Sequence, residues 1–540
     1  MTSHIRIRFS VIILFSASCF FYACGNQPTQ PANNGDRIQL ENNEAALRAQ
    51  ITYVNKTIPV EFSTRKTGAS YLSQTVPFQL KLRAEVSPPI VDGQYLHASH
   101  VTFDDSHAYV SYSTAQNQYR GAIEIVDVVN PQHPILLSQA LFLDTDITIA
   151  TAFAGKLFLG EATNSDNNPE FNTPACLEIL DLQANRLTEN SQRFDLPSFN
   201  ANDVACFDNS VFVTSGTTNG VLSVFKQHAL SLEKQIPLEG AKAVAKTDSY
   251  ILVLQGTGTN LHLFDRSNLA FIKTISLGCD NFFQEKAEMA VDEDNVYLSA
   301  FRCGVLVVDL KNETVATAIP APTGGQTNGV SVANGRLFMA NGSDGLMIGK
   351  ITSAGIVPVG KAIFEGSTNF VASKDNLVFV ANGVGGLKIL EIVEPVAPIT
   401  LSVESVVLAD RGESGYSDLH VAAFDIKTPG EYRIDTTVWY NSGDEQKNES
   451  FYLELQDNRG DKLDPLNPNA GVYKIVPDEP GEPHTALRDS GTFALSQGKY
   501  IINIYHYAKI ASQFPQFING SINGPESVHI KGFTIEPVDR

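Results

Sequence analysis

The sequence is short of basic residues, and those it has are not clustered. Its 540 residues include 39 lysines and arginines against 59 aspartates and glutamates, for a formal net charge of −20. Phosphate groups attract clustered Lys and Arg, so this composition argues against nucleic acid or anionic lipid as the main partner. A solvated acidic surface is sufficient to explain the charge.

Helical periodicity and catalytic motifs are also scarce. No long stretch repeats apolar residues at a helical spacing, so we expect a nearly all-β fold with one short helix within 40–50. GxSxG and HExxH motifs are absent, and the acidic stretches 292–295 and 457–464 lack the alternation of a calcium-binding loop. We therefore expect neither a metal nor a cofactor.

The N-terminus predicts export. Basic residues precede an apolar run of signal-peptide length that ends in the sequence FYACGN, with Cys24 between a small residue and a glycine. This ending resembles the bacterial lipobox, although Phe21 replaces the usual leucine; Cys19 offers a weaker alternative, and an ordinary secretory signal stays open. We expect 1–23 to be a lipoprotein signal peptide, Cys24 to be acylated and 24–50 to form a tether to a bacterial envelope membrane, with the periplasmic or surface-exposed face of the outer membrane as the expected location.

A repeat fills the middle of the chain. A strand of the type GAIEIVD recurs seven times, each time after an apolar strand that carries an aromatic residue or leucine, at a period near 45 residues. A third strand precedes each pair and a fourth follows most of them. Four short strands at this period are typical of a β-propeller blade. The seventh unit lacks its fourth strand, and the unassigned strand at 76–86 is predicted to supply it and close the ring.

The stretch GAIEIVDVVNPQHP (121–134) resembles the LVIVD repeat of bacterial and archaeal surface proteins. The likeness covers roughly 76–396 and implies a propeller without implying a reaction. We interpret the acid that ends five of the copies as a turn-capping residue, because a side chain repeated on outer turns does not converge on one site. These residues are Asp127, Asp181, Asp265, Asp309 and Glu391.

Propellers commonly bind at the central mouth, which is formed by residues that lead into each innermost strand. Most residues aligned there are polar, and they describe either a water-filled channel or a ligand site. Three of them could form an acid/base set, namely His100, Asp203 and Glu288. The candidate mouth residues are Ser99, His100, Asn202, Asp203, Lys242, Glu288, Asn328 and Asn369.

Cysteine spacing lacks the CxxC pairs of zinc sites. Cys279 precedes the fifth unit and Cys303 follows its second strand, so both loops should lie on the same face of the ring. We predict a disulfide between them, as an exported protein permits. Cys176 and Cys206 fall at opposite ends of adjacent blades and are left unpaired.

The seven-unit repeat ends at 396, and 397–540 contains a different internal repeat. The stretches 424–440 and 493–507 each contain a strand, a glycine turn and a long alternating strand, which predicts an antiparallel β-sandwich. Its outline is similar to jelly-roll carbohydrate-binding modules of the galactose-binding type. Alternation places Trp439, Tyr505 and Tyr507 outward, where they could stack on a glycan or pack under a loop.

We therefore predict a seven-bladed propeller over 51–396, closed by an N-terminal strand and followed by a β-sandwich. The leading hypothesis is a non-enzymatic, lipid-anchored envelope protein that binds a protein or polysaccharide partner. The alternative is a carbohydrate-active hydrolase or lyase with its site at the mouth and the sandwich as a targeting module.

Overall fold

A computed structural model describes residues 37–61, 78–114, 118–165, 172–279, 286–323, 325–394, 399–409, 418–441, 449–463, 472–475, 491–506 and 527–538. Cys24 and the predicted signal peptide lie outside these residues. The chain divides into two compact units, Met1–Val393 and Glu394–Arg540. Within the described residues it is nearly all β, as predicted, with antiparallel sheets of four or five strands.

The first unit begins with elements that precede its repeats. They are β1 (Ile38–Glu41), α1 (Glu44–Arg48), β2 (Ile51–Ile58), β3 (Gln79–Val86), β4 (Ile90–Val91) and β5 (Gln94–Tyr95). The short helix lies where the sequence predicted one, and Asn43 caps it by accepting hydrogen bonds from Ala45 N and Ala46 N.

Seven sheets follow, each an up-and-down arrangement of consecutive strands. Sheet 1 contains β6 (His97–Phe103), β7 (His107–Ser113), β8 (Gly121–Asp127) and β9 (Ile135–Phe142). Sheet 2 contains β10 (Thr145–Phe153), β11 (Lys156–Thr163), β12 (Ala175–Gln183) and β13 (Arg186–Asp195). Sheet 3 contains β14 (Ala201–Phe207), β15 (Ser210–Ser215), β16 (Val221–Lys226) and β17 (Ser231–Pro237). Sheet 4 contains β18 (Ala241–Lys246), β19 (Tyr250–Gln255), β20 (Asn260–Asp265) and β21 (Phe271–Ser276).

Sheet 5 contains β22 (Met289–Asp292), β23 (Asn295–Ser299), β24 (Val305–Asp309) and β25 (Thr314–Ile319). Sheet 6 contains β26 (Gly329–Ala333), β27 (Arg336–Ala340), β28 (Leu346–Thr352) and β29 (Gly355–Ala362). Sheet 7 contains β30 (Phe370–Lys374), β31 (Leu377–Ala381) and β32 (Leu387–Val393). Its fourth strand is β3, which pairs with β32, so the pairing predicted for the strand at 76–86 is confirmed.

The first strands of successive sheets lie side by side in the same direction. Ser99 and Thr102 of β6 donate hydrogen bonds to Ile147 O and Ala150 O of β10, and the contacts continue from sheet to sheet until β30 meets β6. We call the end where these first strands begin the entry end; the loops between second and third strands also lie there. The opposite end, which carries the turns after the third strands, is the turn end.

Two sheets carry a fifth strand that the sequence did not predict. β1 pairs with β9 on the outer edge of sheet 1, and β2 pairs with β3 on the outer edge of sheet 7. Leu47 of α1 is fully buried between them in the core. The predicted domain boundary at 51 therefore excluded folded residues, because β1 and α1 lie within the segment 24–50 that the sequence assigned to the tether.

Burial within the sheets explains the recurring sequence. The second and third strands are packed on both faces, which is why β7 and β8 are almost entirely buried. Outer strands such as β25 are largely exposed to solvent, and buried and exposed residues do not alternate regularly along them. In three copies of the repeat, the acid that ends the third strand accepts a hydrogen bond from a backbone N–H of its turn; Val129 N, for example, lies 2.9 Å from Asp127 Oδ1. In the other two copies, Asp181 forms an ion pair with Lys156 and Glu391 forms one with Arg83.

The second unit has two sheets. One has the order β33 (Ile399–Ala409), β41 (Ser527–Pro537), β35 (Gly430–Asn441), β39 (Gly491–Leu495). The other has the order β34 (Asp418–Ile426), β40 (Gly498–His506), β36 (Glu449–Asp457), β37 (Lys462–Leu463), and β38 (Val472–Ile475) also pairs with β36.

The internal repeat of this unit is also seen in its hydrogen bonds. Tyr432 donates its hydroxyl to Thr428 O at 2.6 Å, and Tyr500 donates to Ser496 O at 2.8 Å, four residues back in both copies. Each glycine turn passes from one sheet to the other, since β34 and β40 share one sheet and β35 and β39 the other. Tyr432 and Ile434 are buried, as the alternation predicted.

Candidate functional site

Residues from five sheets meet at the entry end, where five ionisable side chains and one aromatic ring form what we call the central cluster. It consists of His100 of sheet 1, Asp203 of sheet 3, Lys242 of sheet 4, Lys286 and Glu288 just before β22 of sheet 5, and Phe370 of sheet 7. The sequence predicted four of these six. The other two, Lys286 and Phe370, were missed.

Lys286 links the members of the cluster. Its Nζ donates to Ser99 O at 2.6 Å and lies 3.5 Å from Glu288 Oε1 and 4.7 Å from the centre of the Phe370 ring. The ammonium therefore has a carbonyl, a carboxyl group and an aromatic face as partners. One side chain thus joins sheets 1, 5 and 7.

His100 lies on the other side of these groups. Its ring stacks on Phe370 with centroids 3.7 Å apart, and its Nε2 is 3.7 Å from Glu288 Oε1. Burial, together with the charge of Lys286, holds the pKa of His100 well below its usual value, so the imidazole is neutral near pH 7. Its buried Nδ1 has no hydrogen-bond partner in the described part of the chain.

The two carboxylates of the cluster are shifted in the opposite direction. Burial raises the pKa of Glu288 to about 8, although Lys286 opposes the shift, and the charge of Asp203 adds to it. Burial also raises the pKa of Asp203 to about 6, even though Asp203 Oδ2 accepts a hydrogen bond from Val244 N at 2.8 Å. Glu288 therefore carries a proton at neutral pH, as a general acid would.

Access to this cluster is restricted. His100, Asp203 and Glu288 are only 3%, 8% and 7% exposed, while the side chain of Lys286 is 28% exposed. The ammonium is therefore more accessible to solvent than the imidazole and the two carboxyl groups. The cluster satisfies most of its charges internally.

The remaining predicted mouth residues bind backbone instead. Ser99 donates to Ile147 O, Asn202 Nδ2 donates to Ala241 O at 2.7 Å, and Asn369 Nδ2 donates to Ala98 O at 3.0 Å. Each acceptor belongs to the next sheet. Asn328 contributes through its carbonyl, which accepts the Ser299 hydroxyl, while its side chain accepts from Gln326. These polar residues fasten neighbouring sheets together.

The disulfide predicted between Cys279 and Cys303 is present at the entry end, with Cα atoms 6.3 Å apart. Cys176 and Cys206 are free thiols. Cys176 is buried beside Glu161 and Arg193, and burial raises its pKa far above the usual value. Such a thiol is unreactive.

Two of the three predicted glycan residues lie in strands of different sheets. Trp439 lies in β35 and Tyr505 in β40, which belong to different sheets, so these strands do not form one row of aromatics. Their side chains, and Tyr507 altogether, lie outside the described residues. Across the described ranges, no helix is long and apolar enough to cross a membrane, and no three His, Cys, Asp or Glu side chains are grouped to hold a metal ion.

No protein-family model matches the sequence, and no curated protein matches it. Among solved structures, the computationally designed Ika8 protein is similar at 12% identity and a TM-score of 0.37, over 62% of this chain and 96% of its own. U3-55K is similar at 9% identity and a TM-score of 0.42, over 56% and 98%. A chain of the mitotic checkpoint complex gives 10% identity and a TM-score of 0.42, over 62% and 98%.

Proposed function

We propose that this chain is a non-enzymatic envelope protein, anchored by lipid at Cys24, that presents a seven-bladed β-propeller and a C-terminal β-sandwich to a protein or polysaccharide partner. In this proposal the seven sheets of the first unit are the blades, and β3 closes the ring. Contact between His100 of sheet 1 and Glu288 of sheet 5 supports the ring, because sheets so far apart in sequence meet only around a common axis. The LVIVD resemblance remains part of the proposal.

The observation that carries the non-enzymatic function is the state of the central cluster. Its carboxyl groups are buried, with Glu288 beside Lys286 and Asp203 accepting a hydrogen bond from Val244 N. The other polar residues of the mouth are used to join neighbouring sheets. Chemistry on a polysaccharide would need these groups to reach a glycosidic oxygen.

Affinity capture from native envelopes tests the partner. The full-length tagged protein is crosslinked in cells and compared with Cys24→Ser, which should leave the membrane fraction. We expect a specific protein or polysaccharide to be enriched with the acylated protein. If Trp439→Ala abolishes polysaccharide capture while the near-ultraviolet spectrum is unchanged, the second unit supplies the binding face; no binding to any envelope component would reject the proposed function.

A second function is favoured by one observation, the raised pKa of Glu288 beside Asp203. Such a pair could supply the acid and the base of a glycoside hydrolase or lyase. Turnover of a polysaccharide panel by the wild type, lost in both Glu288→Gln and Asp203→Asn but kept in the exposed-site variant Glu239→Gln, would establish this function. Absence of turnover leaves the binding proposal as the better account.

A further inference from the structure

The segment 37–61 runs along the outer edges of four consecutive sheets, and we call it the belt. At one end, Glu61 and Lys361 exchange backbone hydrogen bonds of 2.8 and 2.9 Å at the outer strand of sheet 6. The belt then supplies β2, which pairs with β3 of sheet 7, and β1, which pairs with β9 of sheet 1. At its other end, Arg37 forms an ion pair with Glu178 of sheet 2. The belt therefore joins the last two sheets of the first unit to the first two.

The belt also packs into the junction where sheets 7 and 1 meet. Tyr53 of β2 donates its hydroxyl to Pro134 O, just before β9, at 3.1 Å. Leu47 and Ile51 belong to a buried apolar cluster that also contains residues of β6 and of β30, β31 and β32. Phe370, the first residue of β30, is part of the same cluster. The belt and the strands on both sides of the junction therefore share one core.

The central cluster spans the same junction. His100 of sheet 1 stacks on Phe370 of sheet 7 with centroids 3.7 Å apart. Lys286 Nζ is held between Ser99 O of sheet 1 and the Phe370 ring of sheet 7. Contacts between stacked rings are lost over short distances. Any separation of sheets 7 and 1 therefore breaks the stack and takes one partner away from Lys286.

The belt is attached by few buried side chains. The structure describes every residue of 37–61, and within that range three side chains are buried, those of Ile38, Leu47 and Ile51. β1 has four residues and α1 has five. Short elements with few buried side chains open locally at a lower free energy than global unfolding requires. The belt can therefore leave the outer edges while the sheets stay folded.

We propose that the belt is a latch for the central cluster: while it lies across the junction the cluster stays closed, and its release lets sheets 7 and 1 separate and exposes Lys286 further. Leu47 provides the connection, because it packs in the same core as Phe370, whose ring contacts both His100 and Lys286. Whatever displaces the belt from the outer edges thereby acts on the centre of the first unit. The latch requires neither lipid on Cys24 nor a particular partner.

Acetylation of lysines by acetic anhydride, measured by mass spectrometry on the full-length protein, tests this latch. The rate at Lys286 is divided by the rate at Lys311, an exposed lysine in the turn after β24. Leu47→Ala removes the buried leucine of α1. The matched control is Leu222→Ala in β16, because Leu222 is equally buried but lies in the core between sheets 3 and 4.

We expect Leu47→Ala to raise the relative acetylation rate of Lys286 by about tenfold, because loss of a buried leucine destabilises the closed state in favour of the open one. Leu222→Ala should leave that rate nearly unchanged. An equal increase in both variants overturns the inference. So does faster hydrogen exchange throughout 37–61 in Leu47→Ala without any increase at Lys286.

A crosslinked protein decides the question even if the leucine variant does not fold. Gln39→Cys with Leu141→Cys joins β1 to β9, and Thr57→Cys with Lys81→Cys joins β2 to β3, each at directly paired positions. Peptide mapping verifies both disulfides. Because the belt is then fixed on both sides of the junction, acetylation of Lys286 should be several-fold slower than in wild type. An unchanged rate rejects the latch.

Discussion

Replacing Glu288 with glutamine should make the first unit less sensitive to alkaline pH. The folded-state pKa of about 8 lies above the ordinary value of 4.5. Between these two values the folded protein holds a proton that the unfolded chain has released, so stability falls as pH rises from about 4.5 to about 8. Glutamine cannot release that proton, and the variant should lose this part of the pH dependence.

The magnitude follows from the shift. Each pH unit over which only the folded protein holds the proton corresponds to about 1.4 kcal/mol, so the interval from pH 5 to about 8 contributes on the order of 4 kcal/mol between pH 5 and pH 9. The buried amide that Glu288→Gln introduces adds a cost that does not vary with pH, which leaves the pH-dependent difference as the informative quantity. At about 2 cal/mol/K per residue over roughly 360 residues, 4 kcal/mol corresponds to a Tm difference of about 5 °C.

Calorimetry at pH 5, 7 and 9 measures this difference, with Glu239→Gln as an exposed control. The sole tryptophan, Trp439, belongs to the second unit, so its fluorescence identifies that unit's transition and separates it from the transition of interest. The Tm of Glu288→Gln relative to wild type should rise from pH 5 to pH 9. A difference that stays constant with pH, or that falls as pH rises, would refute the reasoning about burial.

Three further predictions concern the framework. Replacing both Cys279 and Cys303 with serine removes a crosslink between residues 24 apart, which should cost about 3.5 kcal/mol on a chain-entropy estimate; reductant should lower the Tm of wild type but not of the variant. Gly386→Ala places a Cβ 2.0 Å from Val86 O on the closing strand β3, so it should destabilise the first unit by several kcal/mol in chemical denaturation. Gly335→Ala, at a similar positive φ but in open space, should cost only about 1–2 kcal/mol, and equal losses would contradict this explanation. Arg37→Met removes the closer of the two guanidinium partners of the fully buried Glu178 and should lower the free energy of unfolding by about 3–5 kcal/mol. As a control, Arg433→Met at the exposed pair with Glu536 should lower it by less than about 1 kcal/mol. If the uncompensated charge of Glu178 causes the loss, adding Glu178→Gln to Arg37→Met should recover most of it.

The repeat made much of the first unit predictable because local strand patterns determine local pairings. Apolar strands at a regular period predicted the four-stranded sheets, and the missing strand of the last unit led to β3. The disulfide followed from the same alignment, since Cys279 and Cys303 occupy loops at one end of neighbouring strands. By contrast, β1 and β2 lie outside the repeat, and nothing in their sequence identifies the outer edges with which they pair.

The central cluster could be predicted only in part, for a different reason. His100, Asp203 and Glu288 occupy aligned positions at the starts of first strands, so the repeat identified them. Lys286 stands two residues before Glu288 in the connection between β21 and β22, which is longer than the corresponding connections between the other sheets. Its partners Ser99 and Phe370 lie 187 residues before it and 84 after it, distances that the sequence alone does not connect.

The polar residues of the entry end perform two separate physical tasks. Asparagine and serine can donate to a backbone carbonyl without carrying a charge, so they can join first strands at modest desolvation cost. The ionisable residues cannot be buried in this way unless they pair or change protonation. His100 becomes neutral, Glu288 retains a proton, and Lys286 is held by a carbonyl, the carboxyl group of Glu288 and an aromatic ring. Because these adjustments already satisfy the buried charges of the central cluster, we expect the proposed partner to bind exposed side chains elsewhere rather than these groups.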